Sequence, residues 1–569
     1  MNEPRTSSED ADVMAFMRAP GAVMRLERMG AFFPTRLSFM RSLVRRMAGE
    51  AWSFTPVRSD LDKDGFGRVV WRIKTPRRSF SFVAFSTALA PEERTDRVIA
   101  EKWDASFTLV DGEVSDDDMA RLEANVPLQE AGRLSPRELV LSRANKSVRL
   151  FEHVTGRLAQ GRQPDVQEIA DTGYLMRITA VYGNGKLGMG DYGKLKRDPA
   201  FDSPFRAEML TVYMIRQFQF DLADHVAARR GGARAVKLDA GHCRSLGIGN
   251  ATGLGMAPFL IRHPVLFDAW MAARETALAR VRAQRQAGPG KLQRMGELLA
   301  RARRHAGQWN VEDGRQQARI VTLRGEIDRL MTFTPPEAWP WDGLYRHAEA
   351  GMATEAQELI VALLIELHGE LVDDLEATMG SDDAVPIEGA MTLAGIKAQI
   401  EKDYGWALAV DYASPEARHY FWYYSAGKEE PRLGRRFADA GAEREMRLGT
   451  GWYVKTLHDE LTGLGSGDLK ESVAHFLLRR PEHRLAAQRV MITRSRSYAE
   501  IRDNTIGAGL LPIHMLRCKL SFFGATRFDP KSDLWTRITM YQGAPLIADL
   551  GRSDADDWWL PVIAGAAIQ

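Results

Sequence analysis

Two short runs near the front of the chain constrain its fold more than any other stretch. Val69-Val-Trp-Arg-Ile-Lys74 and Ser79-Phe-Ser-Phe-Val-Ala-Phe85 alternate in character, and Thr75-Pro-Arg-Arg78 between them has turn chemistry. A side-chain period of two belongs to strands and is incompatible with a helix, whose faces recur every three to four residues. Runs at 97–101 and 106–110, the second ended by Asp111-Gly112, extend the prediction to an antiparallel sheet. Ser115 then caps a predicted helix whose first turn, Asp116 to Asp118, suits the positive end of the helix dipole.

A sheet of this kind cannot occupy the whole chain. At 569 residues the protein exceeds what one core fills, since cores stop growing at roughly 250 to 300 residues. Helical spacing predicts a helix after Thr35, with Leu37, Met40, Val44 and Met47 inward and Arg41, Arg45 and Arg46 on a solvated face. Helices are also expected over 135–158, from Ser203-Pro204 with Phe205, Met209, Val212 and Tyr213 inward, and over 355–379; a short strand is expected at 235–238. Residues 264–331, rich in Ala, Arg, Gln, Glu and Leu, read as charged, solvated helices broken at Gly288-Pro-Gly290. Strand-like pieces such as Trp535 to Met540 mark the end of the chain, and Trp558-Trp559 are expected to dock the tail on a core. The fold class is therefore α+β: a helix-rich multidomain protein with an N-terminal antiparallel sheet, a charged helical middle and a mixed C-terminal unit. The expected segments are 1–60, 61–160, 161–335 and 336–569, with the last boundary at the rigid Thr334-Pro-Pro-Glu-Ala-Trp-Pro-Trp341.

Charge and motif content narrow the function classes. Lys plus Arg (77) nearly balances Asp plus Glu (75), so no bulk field draws nucleic acid or an anionic membrane. No apolar run reaches the roughly 18 residues of a spanning helix, and the acidic N-terminus lacks a signal-like apolar region. Cys243 and Cys518 stand far apart, outside any CxxC pattern, which argues against a thiolate metal site and for a cytoplasmic setting. The sequence lacks GxxxxGK[ST], HExxH and GxSxG, and its histidines are too dispersed to define a metal centre; it names no metal and no cofactor.

Glycine carries the positive signal. Gly247-Ile-Gly-Asn-Ala-Thr-Gly-Leu-Gly-Met-Ala-Pro-Phe259 reads as a loop before a helix, able to approach a ligand without Cβ obstruction. A second glycine run, Gly183-Asn-Gly-Lys-Leu-Gly-Met-Gly190, follows the strand Leu175–Tyr182 and contains GxGxxG. The polar Asp191 to Asp198 that comes next cannot be the apolar helix of a dinucleotide fold, so the run is either an anion-holding turn or a hairpin with an exposed lysine. These features predict an enzyme acting on a small anionic molecule that bears phosphate or carboxylate. His263 and Lys186 are the expected catalytic groups, with Asn184, Gly249, Asn250, Thr252, Gly253, Arg262 and Arg177 binding the substrate. Cys243, His514 and the charge cluster Lys428 to Arg436 are further reactive groups with no assigned part. The alternative is a non-catalytic protein that uses 264–331 as a surface for a partner or another copy of itself.

Overall fold

The computed structural model describes residues 13–90, 103–128, 135–183, 186–187, 205–252, 264–309, 311–312, 314–380, 385–414, 422–425, 431–432, 445–448, 450–501, 512–530, 536–552 and 556–563. The chain is α+β and gathers into two units, each assembled from three separated segments. One, the sheet unit, comprises 34–252, 288–334 and 520–569; the other, the helical unit, comprises 1–33, 253–287 and 335–519.

The sheet unit opens with helix α1 (Phe39–Gly49) and strands β1 (Ser53–Leu61), β2 (Gly67–Lys74), β3 (Ser79–Ser86) and β4 (Ala105–Asp111), which pair antiparallel in that order. The two alternating runs are β2 and β3, paired from Gly67↔Ser86 to Lys74↔Ser79. Helix α2 (Asp116–Asn125) follows with the anticipated Ser115 cap, here part of a capping box in which Ser115 Oγ accepts from Asp118 N. Next come β5 (Glu138–Lys146), α3 (Val148–Ala159) and α4 (Val166–Thr172), then β6 (Tyr174–Gly183) and β7 (Lys186–Leu187). The long helix α5 (Arg206–Gly231), the short α6 (Ala240–Ser245) and β8 (Gly247–Thr252) complete this segment. The chain later returns with a pair of helices, Lys291–Gly307 and Gly314–Thr332, and with β9 (Arg527–Pro530) and β10 (Thr536–Met540). The sheet runs β1-β2-β3-β4-β5-β6-β8-β10-β9, with β7 attached to β6. Among the described residues, only β6 and β8 are parallel neighbours in it.

Helix α5 fixes where those two strands begin. Gln219, fully buried, accepts from the backbone N–H groups of Leu175 and Met176 at 3.1 and 2.9 Å, and its Nε2 donates to Gly247 O at 2.9 Å. Arg216, also buried, donates to the carbonyls of Cys243, Leu246, Ala544 and Pro545, so one guanidinium ties together two backbone segments, 243–246 and 544–545. Burial without a carboxylate partner lowers its pKa to about 10.

Several expectations are corrected. Residues 135–158 were expected to be helical, but 138–146 form the internal strand β5 and the helix begins at Val148. No strand forms at 235–238. Helix α1 begins after Ser38, whose side chain makes no capping hydrogen bond, and Arg41 is buried beside Asp556 at 3.2 Å and Trp558 at 5.2 Å, not solvated. The tail does dock: Trp558 and Trp559 are buried, and Trp559 Nε1 donates to Pro34 O at 2.7 Å. The strand expected at 97–101 lies outside the described residues.

In the helical unit, Pro264–Arg282 contradicts the prediction of a solvated charged helix, because Asp268, Arg274, Glu275 and Arg282 are all buried. Arg18 bridges Glu275 and Glu358 at 2.6 and 2.7 Å, Arg28 meets Glu358 at 2.8 Å, and Arg274 contacts both carboxylates at 2.9 and 2.5 Å. The Arg274 guanidinium also stacks 4.0 Å from the Phe32 ring centroid. Helix 355–379 is broken at His368, between Thr354–Leu367 and Gly369–Val372. A further apolar core gathers residues from Leu393 to Met491, and 431–432, 422–425 and 445–448 form a small three-stranded sheet. No helix among the described residues is long and apolar enough to cross a membrane.

Candidate functional site

The glycine run that suggested a ligand loop begins as the internal strand β8. Its glycines serve packing. A Cβ on Gly249 would stand 2.4 Å from the Tyr174 ring, and one on Gly247 would stand 2.3 Å from Met540 O, so strand and neighbours approach as only glycine allows. Thr252 ends the strand; Gly253, Arg262 and His263 lie outside the described residues. The second run is a hairpin, with Gly183 paired to Lys186 across 184–185 and Asn184 outside the described residues. Because β6 and β8 run parallel, Gly183 and Thr252 leave the sheet at the same end.

Arg177 and Asn250 are separated by strand alternation. Arg177 pairs with Gly249 and with Asn145, so these three positions share a face, and Asn250 belongs to the other. There the Asn250 side-chain oxygen is enclosed with no hydrogen-bond partner among the described residues. Arg177 instead lines a cleft of about 440 Å³ at the beginning of β6, six residues before the Gly183 turn and on the order of 20 Å from it.

The cleft is built where four elements change direction. Asp104 and Asn145 tie the start of β4 to the end of β5: Asp104 N donates to Asn145 Oδ1 and Lys146 N donates to Asp104 Oδ2, both at 3.0 Å. Ser147 N donates to Leu175 O at 2.7 Å, which turns the chain into α3 with Ser147 to Leu150 along the cleft wall. The first N–H groups of such a helix have no carbonyl within it to bond and carry partial positive charge. Opposite, α4 contributes Glu168, Asp171 and Thr172, and ends at Gly173 with φ 80°, a left-handed turn that delivers Tyr174 to β6. Arg537 enters from β10 and donates to Asp171 O at 2.9 Å.

Lys146, Arg149, Arg177 and Arg537 thus border one opening, against the carboxylates of Asp104, Glu168 and Asp171. Arg guanidinium groups and a helix start favour a phosphate or carboxylate by paired hydrogen bonds and by charge. Asp104 is engaged with backbone, Asp171 accepts from Gln167 Nε2 at 2.9 Å, and Glu168 and Asp171 are exposed on the wall. Arg177 is the member of this set that sequence reasoning selected. The helix expected over 135–158 hides the turn that places Lys146. Arg537 could have been found as the cation in an otherwise apolar and Thr-rich strand, Trp535 to Met540.

The remaining reactive groups do not gather here. Cys243 is buried, which pushes its thiol up to about 12, so it does not supply a thiolate nucleophile. His514 falls on the helix Pro512–Phe523, and of 428–436 only 431–432 are described. No group of three or more His, Cys, Asp or Glu arranged for a metal occurs among the described residues.

Comparison of the chain with family models, with curated proteins and with solved structures returned no match in any of the three.

Proposed function

We propose that the sheet unit binds a small metabolite bearing a phosphate or carboxylate group, with the oxyanion at Arg177 in the cleft, and that the protein acts on it as an enzyme. The reading rests on one observation: Arg149, Arg177 and Arg537, from α3, β6 and β10 and distant in sequence, border a single opening at a helix start. Glu168 and Asp171 are the groups assigned to proton transfer, in place of His263 and Lys186. The charged walls border open space of about 440 Å³.

Calorimetric titration at constant ionic strength with inorganic phosphate and with acetate tests the proposal. The account expects saturable binding of one or both, weakened roughly tenfold or more by Arg177→Gln with the fold retained, as for loss of one charge-assisted contact. Equal affinities of wild type and Arg177→Gln, or no binding, would remove the cleft as the site.

A further inference from the structure

A second cavity, of about 200 Å³, lies beside the charged cleft in the same unit. Phe66, Phe151 and Val226 line it together with the charged Asp64, Lys146, Glu152 and Arg230, and Phe151 and Val226 are buried. The two cavities share Lys146 and Val148, the last residue of β5 and the first of α3. Asn145 and Lys146, as successive strand residues, project from opposite faces. Asn145 belongs to the cleft, whereas the Lys146 ammonium lies 5.2 Å from the Phe66 ring centroid and 5.3 Å from that of Phe151. Val148 on the ridge is a large apolar side chain left 48% exposed.

We propose that the two cavities are subsites of one site, and that its ligand joins the oxyanion to an aromatic ring. This rests on the reading of the cleft as an oxyanion site. The cations of the cleft hold the oxyanion, while Phe66 and Phe151 receive the ring. Lys146, already set against two aromatic faces, can present its charge to a third. The two cavities meet at Lys146 and Val148, and the ligand proposed is a ring bonded to the oxyanion directly or through one carbon. Closure of the ligand over Val148 removes that exposed apolar surface from water.

The test is calorimetric titration of the full chain at constant ionic strength with four probes: inorganic phosphate, phenyl phosphate, acetate and phenylacetate. In at least one pair the ring-bearing member is expected to bind about tenfold or more tightly than its plain counterpart, the scale of one good aromatic contact with burial. Phe66→Ala should abolish that excess and leave the plain oxyanion unchanged, while Arg177→Gln weakens both members. The pair that shows the excess identifies phosphate or carboxylate. If Phe66→Ala loses its circular dichroism, Val148→Ser, at an exposed position, replaces it. Equal binding of ringed and plain probes, or a Phe66→Ala loss shared by both, overturns the two-subsite proposal while the oxyanion site stands; no binding of any probe overturns both.

Discussion

In the helical unit, Arg18, Arg28 and Arg274 converge on Glu275 and Glu358, whose side chains are fully buried; in the sheet unit, Lys146, Arg149, Arg177 and Arg537 converge on a cleft. Both clusters draw on segments far apart in the chain. They differ in what completes them. Each guanidinium of the buried set already has a carboxylate within 3 Å, and the desolvated charges stabilise one another. The cleft set has carboxylates on its walls and open volume at its centre. A cluster whose charges are internally matched holds a fold together, whereas one that borders open space can exchange partners with a ligand.

The largest effect that would break this contrast is in the buried network. Glu358→Ala leaves three guanidinium groups facing a missing carboxylate, and should cost about 3–5 kcal/mol in urea unfolding. A loss below about 1 kcal/mol would show that the network is not the clamp its burial implies. Next is packing at the glycine strand. Gly249→Ala drives a Cβ into the Tyr174 ring and should cost about 1–3 kcal/mol. The same change in a Tyr174→Ala background should cost much less, and equal costs in both backgrounds would separate Gly249 from Tyr174.

Two buried carboxylates sharpen the comparison through pH. Arg18, Arg274 and Arg28 outweigh desolvation at Glu358 and hold its pKa well below the ordinary 4.5. Its contribution is intact above that value and is lost as the pH falls through the folded-state pKa. Asp221 on α5 is pushed up to about 6, chiefly by burial, and its hydrogen bond from Gln217 at 2.8 Å does not compensate. A folded state that binds the proton more tightly than the unfolded chain loses stability as the pH rises through that value. Asp221→Asn should therefore stabilise the protein at pH 8 and change little at pH 4, with melting temperatures at the two pH values as the readout. A gain of equal size at both would assign the effect to packing.

The sheet was legible where one physical signal dominated. β2 and β3 are rich in β-branched and aromatic residues and flank the Thr75 to Arg78 turn, and Ser115 with the acidic Asp116 to Asp118 announces α2. β1 gave no such signal: it is an edge strand, mostly exposed, and contains Pro56. β5 was hidden because polar Ser142, Arg143, Asn145 and Lys146 interrupt its apolar residues, and the pattern fits a helix as well. In the candidate site, Arg177 was visible as a cation on a convincing strand. Its neighbours were not, because Arg537 arrives from the far end of the chain and Glu168 and Asp171 depend on where α4 turns at Gly173. The glycines misled for a related reason. Close approach to a ligand and close approach to Tyr174 demand the same residue.

Thermal melting of wild type and Arg177→Gln, each with and without 10 mM inorganic phosphate at about constant ionic strength, tests the central distinction most directly, because a ligand that binds only the folded state raises its melting temperature. The account predicts that phosphate, or acetate in its place, raises the melting temperature of the wild type and not that of Arg177→Gln. A large loss of stability in Arg177→Gln alone, with the same phosphate response in both proteins, would place Arg177 among the structural arginines and contradict the account.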